Sequence, residues 1–209
     1  MAGAHEEQGR IAAGLAAADI SLGAAELGSL ADYLNLLRKW NRVYNLTGTR
    51  DFAELIDRHL VESLALAPLL RGSSLVDVGS GAGFPGIPLA IAAPGRHFVL
   101  VESRAKRARF LRHAAGSLGL ANVEVQQLRV EDFPGERPFD TLLARAVAPP
   151  AKLLELIWHL TAPGSLLVFL TSARLTAEWQ VLAESHNLRP APLEVPRLER
   201  SRIVVLERT

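Results

Sequence analysis

Two acids and a run of glycines are the first residues in this chain whose types and spacing could do chemistry. Leu75-Val76-Asp77-Val78 is a short buried-strand pattern, and Gly79, Gly81, Gly83 and Gly86 follow before the apolar run Ile87 to Ala93. Glycines this dense let the backbone turn sharply and approach a ligand closely. The turn delivers that ligand to the N-terminus of the next helix, where unpaired N–H groups point outward. Gly81, Gly83 and Gly86 satisfy the bare GxGxxG pattern, which alone is weak. Asp77-x-Gly79-x-Gly81-x-Gly83 on a strand end is more specific. In a nucleoside-binding βαβ unit an acid about 20 residues further on holds ribose hydroxyls. Glu102, closing the apolar run Phe98 to Val101, stands there. Its plainer reading is a solvated strand-end carboxylate that caps the next helix. A dinucleotide-binding dehydrogenase would use the same unit. Against it, Asp77 precedes the glycines, and Pro85 and Pro88 deny a pyrophosphate the N–H donors it needs.

The elements that must position these residues can be read from periodicity. Residues 1–70 form a helical extension outside the nucleotide-binding unit, and 71–209 form the cofactor-binding domain packed against it. Ile11 to Ala18 is alanine-rich, and Leu27, Leu30, Leu34 and Leu37 recur at helical spacing, predicting a helix that runs to about Trp40. Asn45 and Gly48 interrupt that pattern, and Thr47 or Thr49 can cap a further helix, Asp51 to Leu66. Strands are expected at 75–79, 97–102, 122–128, 139–144, 165–171, 188–195 and 202–207, with helices at 86–93, 104–119, 149–161 and 174–186. Alternating strands and helices imply a parallel sheet covered on both faces. Only Pro196 to Ser201 separates the last two strands, too short for a helical crossover, so the last strand should be antiparallel.

Composition bounds the function classes. At 209 residues the chain holds one α/β domain with a modest extension. Without cysteine it has no disulfide, zinc thiolate or cysteine nucleophile. Met1 to Arg10 is polar and no secretory signal, and no apolar run approaches the ~20 residues that span a bilayer. A cytoplasmic protein with neither membrane nor metal partner is expected. The net charge is only +1, so contact with nucleic acid would need a local basic surface. Two are available. Arg104, Lys106, Arg107, Arg109 and Arg112 crowd the helix after the second strand, and Arg38, Lys39, Arg42, Arg50 and Arg58 lie in the extension. Either set would also read as an ordinary solvated face. Arginine outnumbers lysine 20 to 3, which suits bidentate phosphate contacts and stacking on bases.

The glycine turn resembles motif I of the class I S-adenosylmethionine methyltransferases, and the layout expected above is their architecture: a seven-stranded, mostly parallel sheet with an antiparallel last strand. The likeness narrows further. Trp40-Asn41-x-x-x-Asn45-Leu46-Thr47, Arg58-His59-x-x-Glu62-Ser63, the run Asp77 to Pro88, Glu102-Ser-Arg-Ala-Lys106-Arg107 and Ala144-Arg145-Ala146 together resemble the RsmG (GidB) family. The resemblance implies methylation of nitrogen-7 of a guanine in 16S ribosomal RNA, with S-adenosylmethionine as cofactor and the RNA or the small subunit as partner of a monomer. It places cofactor contacts at Gly79 and Phe84, at Val130 and Glu131 beside the adenine, and at Arg145, in addition to Asp77, Gly81, Gly83 and Glu102. Arg145 would also orient the target base.

Missing residues agree with that chemistry. Carbon-5 methylation of a pyrimidine needs a cysteine. Methylation of an exocyclic amine usually shows an Asp/Asn-Pro-Pro-aromatic motif, and Ala144-Arg-Ala-Val-Ala-Pro-Pro150 lacks both the acid and the aromatic. Nitrogen-7 carries an unshared pair and no proton, so its attack on a sulfonium methyl needs no general base. Orientation of the two reactants then supplies the catalysis, worth up to ~7–11 kcal/mol. Two other classes share the fold: a small-molecule methyltransferase, and a non-catalytic cofactor-binding subunit serving an RNA-binding partner. His59 is read as structural, a member of a polar network with Asn41 and Asn45 that joins the extension to the cofactor loop.

Overall fold

The computed structural model describes residues 2–49, 51–191, 198 and 201–209. Arg50, Pro196 and the end of the expected sixth strand lie outside them. Two helices open the chain, α1 (Ala2–Ala16) and α2 (Ala24–Tyr44). Leu30, Leu34 and Leu37 are fully buried, as their spacing requires. α2 runs a turn past Trp40 and ends where Asn45 turns left-handed, at φ 52°.

The next helix is not the single element expected over Asp51 to Leu66. It divides into α3 (Phe52–Glu54), a π-helical stretch Leu55–Leu60 and α4 (Val61–Leu64), then a 3₁₀ turn Ala67–Leu69. Its cap is neither threonine. The Asp51 side chain accepts the Ala53 N–H at 3.0 Å, while the Thr49 hydroxyl accepts that of Asp51. π-turns are rare and concentrate at functional sites. This one carries Arg58 and His59, with Glu62 just beyond.

The remaining elements alternate: β1 (Ser74–Val78), α5 (Gly86–Ala92), β2 (His97–Val101), α6 (Ala105–Ser117), β3 (Val123–Gln126), β4 (Thr141–Arg145), α7 (Pro150–Ile157), β5 (Leu166–Thr171), α8 (Thr176–Ser185), β6 (Leu188–Pro190) and β7 (Arg202–Arg208). They build one seven-stranded sheet in the order β3-β2-β1-β4-β5-β7-β6. β7 runs antiparallel to both β5 and β6, and the other six strands share one direction.

Side chains alternate across a strand, and here that sorts the core into two. Val76, Val78, Leu142 and Ala144 belong to the cluster under α7 and α8. Leu75 and Leu143 belong to the other, with the buried residues of α1, α2, α5 and α6. The same parity turns Asp77 and Arg145 toward the face covered by the N-terminal helices.

Candidate active site

The glycine turn after β1 is held open by named contacts. Gly79, Gly81 and Gly83 have φ of 66°, 61° and 101°, a region L side chains avoid. A Cβ on Gly83 would meet Ile87 at 2.8 Å and the Tyr33 hydroxyl at 3.0 Å, and one on Gly86 would strike Leu100 and Asp77. Those two glycines serve the packing. Gly81 differs, because nothing of the protein stands closer than 3.8 Å to its Cβ position. The space it leaves belongs to a cavity of about 400 Å³, large enough for a nucleoside cofactor. From α2, the Tyr33 hydroxyl donates to the Ala82 carbonyl at 2.7 Å, so the extension anchors the turn.

Glu102 stands at the end of β2 inside this cavity. Its two oxygens accept from the Gly81 N–H at 3.0 Å and the Arg104 N–H at 2.7 Å, and Arg107 approaches to 3.9 Å. The capping role and the ligand role are therefore compatible. A carboxylate has about four acceptor positions, and two remain for ribose hydroxyls. Gly79 and Phe84 line the same cavity. Phe84 is 6% exposed, packed edge-on against Tyr33 and stacked on His59 with ring centres 5.1 Å apart. Burial, then repulsion from Arg145 and Arg58, lowers the His59 pKa to about 4, so the imidazole is neutral at pH 7.

Asp77 does not line the cavity. It is 1% exposed beneath the turn, where Oδ2 accepts the Gly86 N–H at 3.0 Å and fixes the start of α5. Burial raises its pKa to about 7, opposed by that hydrogen bond. Val130 and Glu131 are not brought to the cavity lining either. Val130 is buried in the core under α7, and Glu131 is exposed and paired with Arg129 at 3.2 Å. Both lie in a 3₁₀ turn over Val130–Asp132, which no periodicity in the sequence announces.

Arg145 closes β4, and its surroundings contain the residue that sequence reasoning missed. Arg145 Nη2 donates to Glu62 Oε2 at 3.2 Å, across 83 positions of chain. Glu62 is 4% exposed. Arg145 also stands in the wall between the glycine-turn cavity and a second cavity of about 470 Å³ between the loops that follow β4 and β5. The acids and bases lining the two are His59, Glu102 and five arginines. Glu102 accepts from two backbone N–H groups, and His59, its pKa lowered to about 4, is a weak base.

The basic residues divide. Arg104 and Arg107 line the glycine-turn cavity, while Lys106, Arg109 and Arg112 face solvent on α6. Arg107 therefore belongs to the cavity as much as to a nucleic-acid surface. In the extension, Arg38 pairs with Glu7 at 2.7 Å, Arg58 pairs with Glu54 at 3.0 Å, and Lys39 and Arg42 are exposed. Of the expected network of Asn41, Asn45 and His59, Asn41 near the end of α2 bonds Thr47 and the Thr49 carbonyl, and His59 stacks on Phe84.

Sheet order, glycine turn and strand-end acid define a class I S-adenosylmethionine methyltransferase fold. A methyltransferase from Geobacter sulfurreducens has it, with a TM-score of 0.63 at 20% identity over 85% of this chain and 90% of that one. TYW2 of P. horikoshii, solved with MeSAdo, overlays with a TM-score of 0.56 at 14% identity over 71% and 62%. The sequence goes further than the fold. Residues 26–204 match the family described as GidB, rRNA small subunit methyltransferase G, and the chain belongs to it. Proteins named ribosomal RNA small subunit methyltransferase G are 43% identical in Klebsiella pneumoniae over 90% of this chain and 92% of theirs, and 42% in Serratia proteamaculans over 92% and 94%.

Proposed function

We propose that the protein transfers a methyl group from S-adenosylmethionine to nitrogen-7 of a guanine in 16S ribosomal RNA, free or within the small subunit. One observation carries the reading to chemistry: a nucleoside-sized cavity with a ribose-type acid adjoins a second cavity across Arg145, and among the described residues the two are lined by no acid or base besides Glu102, the weakly basic His59 and arginines. The cofactor supplies an electrophilic methyl group on sulfur. The chain's own work is to seat it and to aim the base. The glycine turn gives backbone-close approach, Glu102 takes the ribose hydroxyls, Phe84 gives an apolar surface, and Arg145 bonds the guanine. Lys106, Arg109 and Arg112 hold phosphates by charge. Such an enzyme works in the cytoplasm, and among the described residues no helix is long and apolar enough to cross a membrane.

The test is tritium transfer from labelled S-adenosylmethionine to 16S RNA and to small subunits lacking the modification, followed by nucleoside analysis. Label in 7-methylguanosine is expected. Label in another nucleoside, or none in RNA while a small molecule is methylated, would overturn the reading.

A further inference from the structure

The end of α2 carries aromatic rings that line neither cavity. Among the described residues three large apolar side chains are exposed, and two of them, Val43 at 73% and Tyr44 at 38%, close this helix. Tyr44 packs on Trp40 one turn earlier, with ring centres 5.2 Å apart and planes tilted by 39°. Trp40 in turn meets two rings of α6, Phe110 at 5.6 Å and the exposed His113 at 5.4 Å. Phe110 is fully buried and seats the half-buried tryptophan. Tyr44, Trp40 and His113 thus form a strip of rings that crosses from α2 to α6, with both end rings exposed to solvent.

Helical spacing adds cations along the strip. Residues four apart share a helix face, which sets Lys39 beside Val43 on α2, and Lys106 beside Phe110 and Arg109 beside His113 on α6. Lys39, Lys106 and Arg109 are exposed, and none forms an ion pair with a described residue. No acid occurs from Tyr33 to Arg50 or from Ser103 to Ser117. We propose that this strip docks single-stranded RNA, with unpaired bases stacked on Tyr44 and His113 and neighbouring phosphates held by Lys39, Lys106 and Arg109. The inference rests on the reading of the substrate as RNA.

Single-stranded RNA supplies what the strip lacks. Every base has a π face, and every nucleotide brings a phosphate. Paired bases keep their faces inside the stack, so exposed rings select unpaired ones. An apolar protein partner would cover the rings but leave three cations without an anion. The strip also lies where it can serve methyl transfer. Leu46, Thr47 and Gly48, which follow Tyr44, line the glycine-turn cavity, and so do Arg104 and Arg107 at the start of α6. From Arg107 to His113 the helix rises only about 9 Å, so RNA held on the strip stays close to that cavity.

The experiment compares Tyr44→Ala, Tyr44→Phe, Tyr44→Leu and His113→Ala with wild type, measuring affinity for oligouridylate, for 16S RNA and for small subunits lacking the modification, with circular dichroism as the folding control. Removing one stacking ring costs about 5- to 150-fold in affinity. A loss in that range for both RNAs is expected in Tyr44→Ala, and a loss of the same sign in His113→Ala. Tyr44→Phe should bind nearly as wild type does. Tyr44→Leu, which keeps apolar bulk without a π face, should bind as poorly as Tyr44→Ala. The log–log salt slope should not move in the Tyr44 variants, because no charge is removed. His113 is exposed on another helix, so its variant carries the test if Tyr44→Ala disturbs the end of α2. Wild-type RNA affinity in both alanine variants, equal binding by Tyr44→Leu and Tyr44→Phe, or an altered slope in Tyr44→Ala would each overturn the proposal. A loss confined to small subunits, with both RNAs bound normally, would make the strip a protein contact and overturn it as well. If wild type binds these RNAs but methylates none, the functional reading fails separately, and the binding comparison still decides the strip.

Discussion

Replacing His59 by phenylalanine tests the electrostatic description of the site directly. The imidazole lies flat against Phe84, and its pKa falls from 6.5 to about 4 through burial first and the neighbouring Arg145 and Arg58 second. A histidine depressed in the folded state binds its proton more readily when unfolded, so it withdraws stability as pH falls from 6.5 toward 4. With 6.5 in the unfolded chain and about 4 in the folded one, linkage gives a loss of about 2 kcal/mol at pH 5 relative to pH 8. His59 is only half-buried, and solvent screening reduces this to about 1 kcal/mol.

Phenylalanine keeps the ring stack and cannot titrate. The stability of His59→Phe should therefore gain about 1 kcal/mol on wild type between pH 8 and pH 5, or roughly 2–4 °C in Tm for a chain of this size. Urea unfolding at both pH values, followed by circular dichroism, measures it. Parallel pH profiles for the two proteins would refute the depressed pKa and, with it, the neutral imidazole beside the cofactor cavity.

Two further outcomes are expected. Gly81→Ala and Gly119→Ala place a Cβ at nearly the same left-handed φ, 61° and 65°, with no protein atom closer than 3.8 Å. Both should lose about 1–2 kcal/mol of stability, but calorimetry should find S-adenosylmethionine affinity lost only in Gly81→Ala; equal affinity in the two variants would empty the cavity of its assignment. Lys106→Ala/Arg109→Ala should weaken RNA binding and flatten the log–log salt dependence by about 1.4 for a single-stranded contact, leaving cofactor affinity intact. An unchanged slope makes α6 an ordinary solvated face.

Local signals carried most of the fold. Runs such as Phe98 to Val101 and Leu166 to Leu170 are apolar throughout because helices cover both faces, and that composition reads as a buried strand without any knowledge of its partners. The short Pro196 to Ser201 connection was enough to foresee that the last strand turns back. The glycine turn and Glu102 were legible because chemistry and conformation there both restrict the residue type. What stayed hidden depends on three-dimensional placement. Thr47 and Thr49 offer the same cap chemistry that Asp51 turns out to supply. No propensity marks where a helix widens into a π-turn. Arg107 reads as one more cation on a basic helix until its turn beside Glu102 is seen.

Glu62 shows that limit most sharply, because its signal was present and could not be decoded. Arg58, His59 and Glu62 occur close together, yet spacing within one helix says nothing about a strand 83 residues away. The missing step is parity. Once β4 is known to alternate with Leu142 and Ala144 toward α7 and Leu143 toward the extension, Arg145 must follow Leu143. A largely buried arginine on that face is stabilised by a carboxylate from whatever covers it. Among the described residues, only Glu62 both lies on the covering helices and is buried. The extension is therefore integral to the proposed active centre. It ties down the glycine turn through Tyr33, lines both cavities through its π-helical stretch, and holds the arginine between them.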